Sequence, residues 1–290
     1  MRDFEFEIPL GRIAGLRSGE PGMPKVLALH GWLDNAASFV PLSKHLQGID
    51  LVAIDQPGHG RSAQLPPGTD YSFVGAMNAV LDVADALGWE RFALLGHSMG
   101  AGIGSMLAAA CPQRIERLLA IEALGALAEE PARTVARMRE AVIAHRNLKD
   151  KKLRVFPDID SAVRTRQYAS RVPGSGLDEA SVRLLVERGL REVHVDGALA
   201  GYEWSSDPRL TLPTMTRMTE PQVEDLLAGI ECPVRAIFAD PAQPYLPDDL
   251  RRRRVALLPH GELVVIPGGH HLHMQQAADV AAAIGDFFAA

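Results

Sequence analysis

Short apolar runs alternate along this chain with longer stretches in which apolar residues recur at helical spacing. The runs have the length of strands and end in turn residues. Such alternation is typical of parallel strands joined by helical crossovers. The predicted core strands are 25–29, 51–54, 91–95, 117–121, 234–238 and 262–266. An antiparallel pair, 4–8 and 12–16, precedes them, so the pattern predicts a mostly parallel eight-stranded sheet flanked by helices.

The helical pattern predicts four helices that cover this sheet. They are expected at 37–46, 72–87, 99–110 and 277–288. Between residues 126 and 220 the alternation stops, and Arg-rich helical segments appear that are interrupted by proline and by the run 173–176. We interpret this interval as a helical cap, or lid, subdomain (126–220) inserted into an α/β core made of residues 1–125 and 221–290.

Composition and charge exclude several classes of partner. A formal net charge of −6 and a pI of about 5.9 give no attraction to a phosphate backbone or an anionic membrane surface. No apolar stretch is long enough to span a bilayer, and the N-terminal residues do not form a signal peptide. Cys111 and Cys232 have no metal-ligand spacing and are expected to be reduced thiols. The sequence therefore predicts a cytoplasmic protein that binds neither nucleic acid nor membrane.

The pentapeptide Gly96-His97-Ser98-Met99-Gly100 carries the strongest chemical signal. It follows a predicted strand and precedes a predicted helix. A Gly-x-Ser-x-Gly segment in that context predicts a nucleophile elbow, a sharp turn that lifts the serine hydroxyl above the sheet. The flanking glycines allow neighbouring elements to approach the turn closely.

Further motifs occur in the order known from one large family. His30-Gly31-Trp32, the segment 55–62 (Asp-Gln-Pro-Gly-His-Gly-Arg-Ser), the elbow and Gly269-His270 follow one another along the chain. The chain resembles the α/β hydrolases over nearly its whole length, and it is similar to their serine-hydrolase-like branch. This resemblance implies the α/β-hydrolase fold. It also implies that Ser98 is the nucleophile, that His270 is the base, and that the backbone N–H groups of Trp32 and Met99 form an oxyanion hole.

The third member of the triad has two candidates. The family's usual acid lies in the loop after strand 234–238, but its expected position there holds Ala242, which leaves Asp240 at the strand end. Some branches take the acid from the end of the preceding core strand, where this chain has Glu122. A carboxylate at the end of an apolar strand needs a strong partner, and a histidine that becomes cationic is such a partner. We favour Glu122 and keep Asp240 as the alternative.

Three histidines, His270, His271 and His273, follow the last predicted strand. His270 matches the family's Gly-His, and His273 matches a position that packs behind it. Three neighbouring histidines also suggest a metal site, but no matching Asp or Cys set accompanies them in the sequence. We therefore predict no metal ion and no cofactor.

The predicted function is hydrolysis of a small-molecule carboxylic ester or thioester through an acyl-enzyme intermediate. Trp32, Trp204 and Met215 are candidate substrate-binding residues, with core packing as the alternative interpretation of each. Two other functions stay open. One is a noncatalytic, ligand-binding homologue of these hydrolases, and the other is a serine-type haloperoxidase or lyase that uses the same triad. The sequence does not specify the acyl chain or the oligomeric state.

Overall fold

The structure, a computed structural model, describes residues 1–148, 153–170 and 176–289. Its centre is an eight-stranded sheet. The eight strands are β1 Arg2–Ile8, β2 Gly11–Ser18, β3 Lys25–Leu29, β4 Asp50–Ile54, β5 Phe92–His97, β6 Ile115–Ile121, β9 Val234–Asp240 and β10 Gly261–Pro267. Their order in the sheet is β1-β2-β4-β3-β5-β6-β9-β10. The first two strands are antiparallel to each other, β2 is antiparallel to β4, and the remaining pairs are parallel. The predicted mostly parallel sheet is confirmed.

The helices cover both faces of the sheet, and the buried apolar residues form one cluster on each face. The α-helices are α1 Val40–Ser43, α2 Phe73–Ala86, α3 Met99–Ala110, α4 Thr134–Asn147, α5 Ile159–Ala169, α6 Glu179–Gly189, α7 Glu220–Ala228, α8 Asp248–Ala256, α9 Leu272–Gln275 and α10 Ala277–Ile284. None of the helices in the described ranges is long and apolar enough to cross a membrane.

Two predicted helices differ from those observed. The segment predicted as one helix at 37–46 is a 3-10 turn, Ala36–Phe39, followed by the short α1. Asn35 caps the turn through its side chain, and Pro41 stands in the first turn of α1, so each piece has its own start signal. The predicted helix 277–288 ends at Ile284, because Gly285 adopts a φ of 52° and terminates it.

The interval predicted as a helical cap also contains a β-hairpin. Strands β7, Leu190–Val195, and β8, Ala198–Trp204, pair antiparallel. The connecting residues Asp196 and Gly197 both have positive φ, at 52° and 82°, as a tight two-residue hairpin turn requires. The cap therefore combines helices α4, α5 and α6 with a hairpin that the sequence analysis did not predict, and the Asp-Gly turn is the sequence signal for this hairpin. Residues 173–175 of the predicted proline–glycine break lie outside the described residues.

Buried ion pairs hold the cap against the core. Arg188, at the end of α6, donates from Nε to both carboxylate oxygens of Asp55 at 3.0 Å each, and from Nη1 to Asp3 at 2.7 Å. Arg166, on α5, donates to Asp34 at 2.6 Å. Breaking a buried pair leaves an uncompensated charge, which costs about 3–5 kcal/mol. The position of the cap is therefore fixed by charge as well as by apolar packing.

Two buried histidines support the turn that follows β4. His30 donates from Nδ1 to the carbonyl of Gly31 at 2.7 Å, and its Nε2 accepts the N–H of Gln56 at 3.0 Å. The His59 ring lies 4.9 Å from the His30 ring, and both residues are buried. Burial lowers the pKa of His30 to about 4 and the pKa of His59 to about 3, so both rings are neutral at pH 7.

These two histidines should make the protein sensitive to acid. A histidine in the unfolded chain has a pKa near 6.5, so below that pH the unfolded state takes up protons that the folded state does not. Stability is then lost as the pH falls from about 6.5 toward 4, by up to about 1.4 kcal/mol per pH unit for each histidine. Urea unfolding at pH 7.5, 6.0 and 5.0 measures this slope.

A matched variant isolates the contribution of His59 to this pH dependence of the free energy of unfolding. His59→Gln cannot titrate, so its free energy of unfolding should fall less steeply with pH than that of the wild-type protein. Equal free energies of unfolding at pH 7.5 and pH 5.0 in the wild-type protein would contradict the prediction.

Candidate active site

A strained turn between β5 and α3 presents Ser98. The serine has φ 50° and ψ −115°, and α3 begins at the next residue. A Cβ on Gly96 would lie 2.4 Å from the Cα of Ala101, and a Cβ on Gly100 would lie 2.0 Å from the carbonyl oxygen of Leu29. Neither position can carry a side chain without moving backbone. The glycines therefore serve the turn as the sequence analysis expects.

Ser98, His270 and Glu122 lie in one hydrogen-bonded row. His270 Nε2 is 3.1 Å from Ser98 Oγ, and His270 Nδ1 is 3.2 Å from Glu122 Oε2. The other carboxylate oxygen of Glu122 accepts the N–H of Ala239 at 2.5 Å. The Glu122 side chain is 1% exposed and that of His270 is 17% exposed. The structure thus brings together the three residues that sequence analysis favours for the triad.

Asp240, the alternative acid, lies elsewhere. It is the last residue of β9, its side chain is exposed, and its carbonyl accepts the N–H of Gly268 at 3.0 Å. The carboxylate that reaches His270 belongs to Glu122, at the end of the neighbouring strand β6. Glu122 has a φ of 59°, which turns the chain sharply as it leaves the strand. The geometry therefore selects Glu122 as the partner of the imidazole.

Backbone strain is concentrated at this site. Among the described residues, four that are not glycine have positive φ: Leu33, Ser98, Glu122 and Asp196. Ser98 and Glu122 belong to the hydrogen-bonded row, and Leu33 directly follows Trp32 in the loop after β3. Such conformations cost of order 1–3 kcal/mol each and persist where the surrounding fold imposes them. Their clustering marks this edge of the sheet as a functional site.

Tyr245 is a site residue that sequence analysis missed. Its hydroxyl lies 3.1 Å from His270 Nδ1, the same nitrogen that faces Glu122. Burial, together with the charge of Glu122, raises the pKa of Tyr245 to about 12, so the hydroxyl is protonated at neutral pH. Tyr245 lies in the loop after β9, where the resemblance places the usual acid. Sequence analysis considered only carboxylates in this loop and therefore did not identify Tyr245.

The proposed oxyanion donors lie at the same sheet edge. Met99 is the first residue of α3, where the backbone N–H groups have no partner inside the helix. Trp32 follows β3, and β3 pairs with β5, so both segments leave neighbouring strand ends. The Trp32 indole donates from Nε1 to the carbonyl of Leu210 in the cap at 2.8 Å, while 54% of the residue stays exposed. The ring therefore lies between the core and the cap.

The other two candidate substrate residues differ in placement. Trp204, at the end of β8, stacks edge-on against Phe156 with 5.4 Å between ring centroids. It packs against the apolar cluster of the cap, in agreement with core packing as the alternative interpretation of this residue in the sequence analysis. Met215 is 38% exposed, so its role in substrate binding stays a prediction. His273 is fully buried, and its ring lies 4.0 Å from that of His97, behind the hydrogen-bonded row.

Comparison with known proteins agrees with this fold. A family model described as the alpha/beta hydrolase fold matches residues 24–153. A serine hydrolase-like protein of Dictyostelium discoideum is 33% identical over 88% of this chain and 72% of its own length. A serine hydrolase-like protein of Danio rerio is 30% identical over 98% of this chain and 87% of its own.

Two solved structures are similar over nearly their full lengths. A hypothetical protein from Pseudomonas aeruginosa PAO1 has a TM-score of 0.89 and 36% identity, with 100% of this chain and 99% of that chain covered. The thioesterase domain from the curacin biosynthetic pathway has a TM-score of 0.80 and 26% identity, with 98% of each chain covered. The chain therefore belongs to the α/β-hydrolase superfamily and, within it, to the serine hydrolase-like proteins.

Proposed function

We propose that the protein is a serine hydrolase that cleaves a small-molecule carboxylic ester or thioester through an acyl-enzyme intermediate. The observation that carries this proposal is the continuous row from Ser98 Oγ through both ring nitrogens of His270 to the buried carboxylate of Glu122. A protein that only binds ligands has no need for a serine held at positive φ, a histidine within reach of it and a buried acid behind the histidine.

The geometry supports the following role for each group in the proposed reaction. His270 Nε2 takes the proton of Ser98 as Oγ attacks the acyl carbon, and Glu122 stabilises the imidazolium that forms. The backbone N–H groups of Trp32 and Met99 stabilise the oxyanion. His270 then protonates the leaving alcohol or thiol as the acyl-enzyme forms. In the second half of the reaction His270 removes a proton from water, which attacks the acyl-enzyme. His270 then returns that proton to Ser98 Oγ as the bond between Oγ and the acyl carbon breaks and the acid leaves.

Two apolar surfaces beside the reacting serine favour an acyl substrate with an apolar portion. Trp32, whose backbone N–H is a proposed oxyanion donor, is 54% exposed, and Tyr245, which contacts His270, is 49% exposed. Exposed aromatic rings at a site contribute apolar contact area at little entropic cost. A thioester is included in the proposal because one similar structure is a thioesterase domain.

A fluorophosphonate probe and p-nitrophenyl ester hydrolysis test the proposed triad. The wild-type protein should be labelled, and Ser98→Ala should not. Glu122→Gln keeps the shape of the side chain and can still accept the Ala239 N–H. Its amide NH₂ would then face His270 Nδ1 and favour the wrong tautomer, so kcat/KM should fall by about 10³-fold or more.

Asp240→Asn is the matched control for Glu122→Gln. Its side chain is exposed at the end of β9, so kcat/KM should stay within about twofold of the wild-type value. A collapse in Asp240→Asn with activity retained in Glu122→Gln would reverse the assignment. A wild-type protein that is not labelled would support the ligand-binding homologue instead. Labelling without turnover of esters or thioesters would favour haloperoxidase or lyase chemistry.

Tyr245 should position the imidazole without being essential. Tyr245→Phe removes one of the two partners of His270 Nδ1 and leaves Glu122 in place. A single hydrogen bond of this kind contributes about 0.5–1.5 kcal/mol, so kcat/KM should fall by roughly 2- to 12-fold. The pH profile of kcat/KM should also change, because the hydroxyl contacts the imidazole that serves as the base in the free enzyme.

Tyr202→Phe, in the cap hairpin, is the control for a general loss of a tyrosine hydroxyl. Its kcat/KM and pH profile should match the wild-type values. A Tyr245→Phe variant with an unchanged pH profile would show that the hydroxyl does not act on His270.

A further inference from the structure

A second cluster of polar side chains lies beside the triad and takes no part in the proposed reaction. Asp34 follows β3, His97 is the last residue of β5, and His271 precedes α9. Asp34 Oδ2 lies 3.1 Å from His271 Nε2 and 3.9 Å from His97 Nδ1. One ligand atom from each of the three residues falls within 4.8 Å of the others. The fold thus gathers two imidazoles and one carboxylate from three separate segments.

The tautomer of His97 is fixed by its other nitrogen. Nε2 lies 2.8 Å from the carbonyl oxygen of His270, so Nε2 carries the proton and donates it. Nδ1 of the neutral ring is then a lone pair, which is buried and has no hydrogen-bond partner among the described residues. This lone pair faces the carboxylate of Asp34 across 3.9 Å, too far for a hydrogen bond and with no proton between them. Two hydrogen-bond acceptors therefore face each other in a buried site, an arrangement that a positively charged group between them would stabilise.

We propose that Asp34, His97 and His271 bind a divalent transition-metal ion of the zinc class. Two imidazole nitrogens and a carboxylate oxygen are a usual ligand set for such ions, with a water or a substrate atom completing the coordination. Tetrahedral ligands about 2.1 Å from an ion lie roughly 3.4 Å apart. The spacings from Asp34 Oδ2, 3.1 Å to His271 Nε2 and 3.9 Å to His97 Nδ1, lie on either side of that value, so ligation requires shifts of up to about half an ångström at each of them.

The surroundings of His97 and Asp34 resemble those of metal ligands, whereas Nδ1 of His271 has no hydrogen-bond partner among the described residues. Metal-binding histidines usually donate their second N–H to a backbone carbonyl, as His97 does to His270. Ligating carboxylates are usually hydrogen-bonded in turn, and Arg166 donates to the Oδ1 of Asp34 at 2.6 Å. The positive charge of Arg166 opposes the ion, which sets the affinity well below that of a structural zinc site.

The proposal departs from one expectation of the sequence analysis. The prediction of no metal rested on the absence of a matching Asp near the three histidines. Asp34 lies more than 200 positions before them in the chain, and the parallel sheet brings the two loops together. His97, one of the two imidazole ligands, lies inside the elbow pentapeptide, where the sequence pattern draws attention only to Ser98.

Metal titrations test the site without relying on activity. The wild-type protein, stripped with a chelator and dialysed at pH 7.5, should bind one equivalent of Zn²⁺ by calorimetry and show a higher melting temperature with Zn²⁺. Co²⁺ should bind at the same stoichiometry and give the visible absorption of a low-symmetry, four- or five-coordinate ion. In Asp34→Asn and in His271→Gln the Zn²⁺ dissociation constant should rise by at least about tenfold.

Two controls separate this site from adventitious binding. His194→Ala removes an exposed histidine in the cap hairpin, and Cys111→Ser removes a partly buried thiol. Both variants should bind Zn²⁺ as the wild-type protein does. The proposal is overturned if no stoichiometric binding is found, or if Asp34→Asn and His271→Gln bind as tightly as the wild type. Circular dichroism of the metal-free variants verifies that they are folded, and His271→Gln keeps the test decisive should Asp34→Asn fail to fold.

Discussion

The buried carboxylate of Glu122 is the group on which the geometry of the site depends. A charge at the end of an apolar strand costs several kcal/mol unless donors surround it. Glu122 has two donors, the N–H of Ala239 at 2.5 Å and Nδ1 of His270 at 3.2 Å. Ala239 lies on β9 and His270 follows β10, so one carboxylate joins the ends of three neighbouring strands. The need to compensate this charge holds the histidine in the orientation that reaches Ser98.

The parallel sheet makes this compensation rigid. Strands β5, β6, β9 and β10 pair in parallel, and the residues of β5, β6 and β9 are mostly buried. A sheet covered on both faces resists relaxation, so it can hold Ser98 and Glu122 at positive φ. The strain at the two strand ends and the hydrogen bonds between them are therefore supported by the same apolar core.

The fold and most of the site could be predicted from the sequence because their signals are local. Strand length, turn residues and the elbow glycines are read from a few neighbouring positions, and Glu122 follows from its place at a strand end. Tyr245 and Asp34 could not be found in this way. Each makes a contact with a residue that is distant in the sequence, and a local sequence pattern does not predict which loops contact each other. The cap hairpin was missed for another reason, since its Asp-Gly turn follows an arginine-rich segment with a helical pattern.

The elbow and the base are also joined through backbone. His97 Nε2–H donates to the carbonyl of His270 at 2.8 Å, so the residue before the nucleophile holds the main chain of the base. The separation of Ser98 and His270 is thus set twice, once between their side chains and once through this link. His271, the next residue, contacts Asp34, and Asp34 contacts Arg166 on the cap. The loop that carries the base is therefore connected to the cap by charged groups.

This connection limits how a substrate can enter. Lifting the cap as a body would separate Arg188 from Asp55 and Arg166 from Asp34. Such an opening therefore requires two ion pairs of the interface to break together, which adds to its free energy. Trp32 and Tyr245 are exposed beside the hydrogen-bonded row without any such opening. The ion pairs that fix the cap therefore favour access to Ser98 along this exposed edge.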